Sequence, residues 1–331
     1  MDKSSCLENK SIFDELLKGI LAGRDKELGK AITLIENRDK LANKILKKLY
    51  GEFNPAYLIG ITGPPGAGKS SLIDHLTAGW LEENKKIAVI AVDPSSQISG
   101  GAFLGDRIRM KRISNHKNVF IRSMATRGST GGLNPAVYDT VLLLSAAGFD
   151  MIVIETVGVG QTEIDIVRLA DTSVVVAVPE AGDEIQIFKS DLMDVGDIFV
   201  LNKADLPGSA RMEIMIKQLF NLKAKSNNNL DESWKPQLIK TSTYEEYGIA
   251  ELRNKIAEHH LFLEENGLIE LKQSLVIEKQ LIYLLEEKIY IDLIGEIKNS
   301  SKYKKLLDNI IKGIITPHQA VAELIREKLK Y

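Results

Sequence analysis

Gly63-Pro64-Pro65-Gly66-Ala67-Gly68-Lys69-Ser70 sets its glycines, lysine and serine at the spacing G-x-x-x-x-G-K-[ST]. Without Cβ atoms in the way, the backbone N–H groups of such a loop converge on a polyphosphate, and a helix opening at Lys69 adds the dipole density that anions favour. Lys69 would neutralise the β and γ phosphates, Ser70 would offer its hydroxyl to Mg²⁺, and Ser71 follows in the same first turn. A second pattern, Asn202-Lys203-Ala204-Asp205, follows the apolar run Ile198 to Leu201 and reads as N-K-x-D, the chemistry of a guanine reader. The carboxylate of Asp205 accepts hydrogen bonds from N1–H and the exocyclic amine of guanine, whereas adenine presents no matching donors, so GTP is expected over ATP. Thr241-Ser242-Thr243 supplies a further loop, with Ser242 and Thr243 placed to bring backbone amides toward the guanine oxygen.

Carboxylates recur where apolar runs end. Asp93 closes Ile87 to Val92, and Glu155-Thr156-Val157-Gly158-Val159-Gly160-Gln161 closes Met151 to Ile154. A carboxylate at such a position holds Mg²⁺ directly or through water, and a following glycine lets an N–H approach the γ phosphate and sense its loss. The extra methylene of Glu155, relative to Asp, favours a water-mediated contact. Two glycine-rich segments, Gly100 to Arg107 and Thr126 to Leu133, read as switch loops. Asp106 is a candidate for metal or water, Arg107 and Arg127 for phosphate charge, and Gln161 for orienting the attacking water. The candidate catalytic set is Lys69, Asp106, Glu155 and Gln161; the candidate metal set is Ser70, Asp93, Asp106 and Glu155.

These residues must be carried by elements, and the apolar pattern says which. Residues 10 to 50 read as an N-terminal helical preface ending at Gly51 and Pro55. From Tyr57 the pattern changes to short Ile- and Val-rich runs: Tyr57 to Thr62, Ile87 to Val92, Val119 to Arg122, Met151 to Glu155, Val174 to Val178, Ile198 to Leu201 and Gln237 to Lys240. Continuous apolar strands alternating with helices require a mainly parallel, doubly wound α/β sheet covered on both faces, and ligands of such sheets sit at the carboxyl ends of the strands. After Gly248 the chain reads as helical, with Leu268, Leu271, Leu275, Ile282, Leu285, Ile289 and Leu293 at spacings of three, four or seven. That stripe needs a cover, either this same chain or a second copy. The expected division is residues 1–54 as helical extension, 55–247 as P-loop domain and 248–331 as helical dimerisation arm.

The chain of 331 residues carries 43 Lys and Arg against 45 Asp and Glu, a balance that gives no electrostatic case for nucleic acid or an anionic membrane. Cys6 is the single cysteine, which excludes an internal disulfide and favours a reducing compartment. No run of about 18 apolar residues suggests a membrane span, and the first residues lack an apolar signal core, so a cytoplasmic location is expected.

Taken together, Gly63 to Ser71, Asp93-Pro94-Ser95-Ser96, Gly105-Asp106-Arg107, Phe120 to Gly128, Glu155 to Gln161, Gly182-Asp183 and Asn202 to Asp205 closely resemble the MeaB/ArgK family of GTPases associated with methylmalonyl-CoA mutase. The resemblance implies a SIMIBI-class P-loop fold, a homodimer, Mg²⁺ with GTP and GDP, and no cobalamin bound by this chain. It implies a chaperone role in which nucleotide state gates adenosylcobalamin loading or protection of a B12-dependent acyl-CoA mutase. It also makes Asp183, Glu184, Gln186 and Lys189 candidates for the mutase interface. Glu180 stands where many relatives carry Gly, and Thr243 where the base loop usually carries Ala.

Two other readings share the phosphate loop. A kinase of an amino-acid transport protein would use ATP, against which Asp205 argues. A nickel metallochaperone GTPase would need clustered Cys or His ligands, and Cys6, His75, His116, His259, His260 and His318 show no metal-type spacing. His259-His260 reads as a helix surface pair.

Overall fold

The computed structural model describes residues 3–51, 54–93, 110–125, 135–156, 161–179, 192–226 and 234–328. The N-terminal preface is three helices, α1 (Lys3–Leu21), α2 (Asp25–Glu36) and α3 (Lys40–Leu49), not one. Gly23 at φ 66° and Arg38 at φ 55° take left-handed backbone between them, which a helix cannot continue through. Asp39 then caps α3 by accepting the Leu41 N–H at 2.7 Å. Leu28, Ile32 and Ile35 of α2 are buried, and α2 and α3 pack on helix α5 (Pro135–Ala146).

Seven strands follow: β1 (Tyr57–Thr62), β2 (Ile87–Asp93), β3 (Val119–Ala125), β4 (Met151–Thr156), β5 (Thr172–Ala177), β6 (Ile198–Leu201) and β7 (Gln237–Lys240). They form one sheet in the order β3-β2-β4-β1-β5-β6-β7, every pair parallel. All six residues of β4 and of β5 are buried, as helices on both faces require. Beneath one face, Ile59, Ile61, Leu72, Leu76, Val89, Val153, Val174, Leu252 and Ile256 share a core that joins β1 to α4 (Lys69–Glu82) and α9 (Ile249–Glu265). On the other face α6 (Gln161–Leu169) lies against β1 so closely that a Cβ added at Gly60 would come 3.0 Å from Ala170 Cβ; α7 (Leu192–Val195) and α8 (Ser209–Ser226) follow along the chain.

At the amino ends of β1, β5 and β6 a polar cluster fastens α9 to the sheet. His259 is 1% exposed, so the expected surface pair is corrected: only His260 is partly exposed. One ring nitrogen of His259 meets Thr172 Oγ1 at 2.6 Å, and the other lies 3.5 Å from Asp197. Tyr57 Oη bonds Thr172 Oγ1 and donates to the Ile256 carbonyl, while Trp234 packs edge-on against the imidazole and donates to the Asp197 carbonyl. Burial holds the His259 pKa down to about 4, against the pull of Asp197 upward. A histidine neutral in the fold takes up its proton more readily once unfolded, so this contribution is complete above the ordinary value near 6.5 and fades as pH falls toward 4. Urea denaturation is expected to show about 2 kcal/mol less stability at pH 5 than at pH 7.5 from this group; His259→Gln should flatten that slope, and an unchanged slope would exclude His259 as its source.

The chain divides into two compact units, residues up to Lys272 and from Gln273 on. α9 belongs to the first unit, packing on α4, β5, β6 and β7. α10 (Leu268–Ile289) has no buried residue. A π-helical turn (Tyr290–Ile294) follows, then α11 (Gly295–Asn299), α12 (Ser301–Ile311) and α13 (Pro317–Lys328). Ile297, Leu306 and Ala320 are the buried apolar residues of that second unit among those described. No described helix is long and apolar enough to cross a membrane.

Candidate functional site

Because every strand is parallel, the segment after each leaves the same edge of the sheet. The phosphate loop leaves β1, residues 94–109 leave β2, 126–134 leave β3, 157–160 leave β4, and Asn202 to Asp205 leave β6. Among the described residues, the phosphate loop, Glu155 and Asn202 to Asp205 thus share the carboxyl edge of one sheet.

Within the loop, two glycines are obligatory for different reasons. Gly63 at φ 143° passes so close to β5 that a Cβ would sit 2.2 Å from the Val176 carbonyl oxygen. Gly68 at φ 84° is the N-cap of α4, and a Cβ there would lie 2.5 Å from Asn202 Nδ2. α4 therefore opens without a side-chain cap and without an acidic residue in its first turn. Its first N–H groups stay available to an anion, the arrangement that phosphate binding uses. Lys69 is buried, with Nζ donating to the carbonyls of Gly63 at 2.7 Å and Pro64 at 2.9 Å. The ammonium is thereby held over the loop that would receive the phosphates. Pro65, Gly66 and Ser71 line its outer side and Ala67 its buried side.

Ser70 Oγ donates to Glu155 Oε1 at 2.8 Å, and Glu155 is 4% exposed at the end of β4. A hydroxyl and a carboxylate side by side, beside the phosphate loop, are hard oxygen donors of the type Mg²⁺ prefers, so the donor set fits that ion. The direct Ser70 contact shows that the longer Glu side chain reaches the loop itself. Thr156 Oγ1 donates to Thr62 Oγ1 at 2.9 Å, joining the ends of β4 and β1 just before residues 157–160.

Base-side geometry adds a feature the sequence reading missed. Asn202 is fully buried; its Nδ2 donates to the Ala67 carbonyl at 2.7 Å and its Oδ1 accepts from Thr241 Oγ1 at 3.0 Å. Asn202 is therefore a brace between the base motif and the phosphate loop, with Thr241 orienting its amide. The Ala204 N–H donates to the Thr241 carbonyl at 3.0 Å, and Lys203 takes φ 54°, turning the chain so that Asp205 stands exposed at the edge. Ser242 pairs with Tyr247 through both backbone bonds, and its Oγ accepts the Glu245 N–H at 3.2 Å. Thr243 sits at the start of the short loop so formed, partly buried.

Other expected residues fall outside the described ones: Asp106, Arg107, Arg127, Asp183, Glu184, Gln186 and Lys189. Asp93 ends β2 and Gln161 opens α6, each placed by its backbone only. Among the described residues no three His, Cys, Asp or Glu side chains gather as a metal cage.

Comparison with known proteins accords with this architecture. Residues 28–297 match the family described as methylmalonyl Co-A mutase-associated GTPase MeaB. A protein of Pyrococcus abyssi named as a GTPase is 41% identical over 316 residues, covering 96% of this chain and 97% of its own. The mitochondrial methylmalonic aciduria type A homolog of Caenorhabditis elegans is 31% identical over 94% of this chain and 82% of its own. In fold, the crystal structure titled LAO/AO transport system kinase superposes over 98% of both chains with a TM-score of 0.69 at 22% identity, which supports the P-loop α/β architecture alone. With the family match running from the second helix through the whole sheet and beyond, the chain belongs to the MeaB family and is a GTPase.

Proposed function

We propose that this GTPase reports its nucleotide state to a B12-dependent acyl-CoA mutase in the cytoplasm, gating the loading or protection of adenosylcobalamin there. The family description names association with methylmalonyl Co-A mutase. The observation that carries the mechanism is the Ser70–Glu155 hydrogen bond, which ties the phosphate loop to the root of residues 157–160.

In this reading Lys69 exchanges its two carbonyl partners for β and γ phosphate oxygens, and the N–H groups from Gly66 to Ser70 close around them. Ser70, with Glu155, Asp93 and Asp106, would hold Mg²⁺, which would supply charge neutralisation to the triphosphate. Asp205 and the 242–243 loop select guanine. Gln161 orients a water that attacks the γ phosphorus as the bond to the β–γ bridging oxygen breaks, giving GDP and phosphate. Loss of the γ phosphate releases the segment after Glu155, and Asp183, Glu184, Gln186 and Lys189 present the change to the mutase.

The apolar residues of α10, with Leu275 57%, Leu285 57% and Ile289 50% exposed, are proposed to be covered by a second copy of the chain, making the active form a homodimer. Phosphate release from GTP, followed with and without a saturating methylmalonyl-CoA mutase, is expected to rise about ten-fold or more, since P-loop GTPases without a built-in arginine finger are slow alone. An unaltered rate at saturation, with the chain still turning over GTP, would remove the mutase from the proposal.

A further inference from the structure

The loop that carries Ser242 and Thr243 is closed on itself by the Ser242–Tyr247 bridge and the bond from Glu245 N–H to Ser242 Oγ. Its far side is joined to a distant element through Glu246. That residue, at φ 54°, accepts from Arg112 Nη2 at 2.6 Å across 134 positions of sequence. Arg112 stands in the segment that follows residues 94–109, and Met110 and Ile113 on either side of it are fully buried against α4. Its own N–H points to Asp74 Oδ2 on α4 at 3.4 Å. Arg112 thus touches the helix that begins with Lys69 and the loop that faces the base, and leads directly from the segment carrying Asp106.

As a stability device the pair makes little sense, because Arg112 is 51% and Glu246 61% exposed and water screens such bonds. It does bear on a small loop. Residues 243–246 are anchored at their base by the Ser242–Tyr247 bridge and by Gly248, which cannot accept a Cβ beside the Lys240 carbonyl, and the Arg112 contact at Glu246 opposes an outward swing of the tip.

Building on the nucleotide-binding reading above, we propose that the Arg112–Glu246 ion pair is a latch on the base-reading loop that slows guanine nucleotide release. Arg112 and Glu246 are positioning residues: neither is assigned a contact with the nucleotide. Opening the latch frees the tip at residues 243–246 to swing from the base, and any displacement of the segment after residues 94–109 carries Arg112 with it. Exchange of GDP is thereby linked to the region that holds Asp106.

The test is the dissociation rate of ribose-labelled fluorescent GDP from the full chain at 0.05 M and 0.5 M KCl. Arg112→Met and Glu246→Gln should each release label about three-fold faster at low salt, and converge on the parent at high salt, where charges a few ångströms apart in solvent are screened. The charge swap Arg112→Glu with Glu246→Arg should restore slow release, which a merely structural role for either side chain would not do. Melting temperatures within a degree or so of the parent would show that the folds are equal. Single variants releasing at the parent's rate, or a swap that fails to restore it, overturn the latch while leaving nucleotide binding intact. A parent chain that retains no labelled GDP overturns the nucleotide reading itself, and the latch with it.

Discussion

Lys69→Ala is expected to lower single-turnover GTP hydrolysis by about 100-fold or more, the loss seen when one preorganised charge donor is taken from a developing anion. The lysine is 5% exposed and already desolvated, with Nζ held by the Gly63 and Pro64 carbonyls. A charge so placed need not be stripped of water when the phosphates arrive, and those two carbonyls give it up to a stronger, anionic acceptor. Alanine removes the charge and leaves the Gly63 and Pro64 carbonyls without that donor, a loss confined to the loop, so the sheet should survive. Measured by phosphate release under enzyme excess, with circular dichroism as the control on folding, a variant that retains most of the parent rate would take Lys69 out of the phosphate chemistry.

Asp205→Asn is expected to exchange guanine for xanthine. The carboxylate is exposed at the sheet edge, held there by the left-handed turn at Lys203 and the Ala204 to Thr241 bond. Guanine offers it two donors, N1–H and the 2-amino group, and a paired carboxylate of this kind is worth about 3 kcal/mol, roughly 150-fold in affinity. An amide presents one donor in place of an acceptor, which clashes with the 2-amino group but suits the carbonyl that xanthine carries there. Calorimetric titration with GDP and XDP should therefore show the parent preferring GDP and the variant preferring XDP. A variant that binds both as the parent does would mean that another group reads the base.

The sheet was open to sequence reading because burial on both faces leaves strands as unbroken apolar runs. Tyr57–Thr62, Ile198–Leu201 and Gln237–Lys240 have the expected bounds, and the helix after the phosphate loop starts at Lys69. Strand β5 begins two residues before the expected Val174, at Thr172 and Ser173, because those hydroxyls spend their hydrogen bonds on His259 and Asp197 and are buried as completely as valine. Polar letters hid a buried start. The same cause concealed His259, whose partners lie far off in sequence, and the brace from Asn202 to Ala67, since N-K-x-D looks complete as a base reader without it. The breaks in the N-terminal helices depend on single left-handed residues, one of them Arg38, which apolar periodicity does not register. The motifs around Lys69, Glu155 and Asp205 were legible as chemistry because each ends a strand of one parallel sheet, which sends them to a common edge.

Helix α4 begins at a left-handed glycine with no side chain to close its first turn. A serine or aspartate at that point would add only a few tenths of a kcal/mol over the glycine; here the larger gain waits for the phosphates. The native state is thus completed by its own substrate, and ligand at a hundred times its dissociation constant would add about 2.7 kcal/mol to the free energy of unfolding. As free guanine nucleotide falls toward its dissociation constant that increment is lost, so this chain's resistance to unfolding follows the supply of the molecule it consumes.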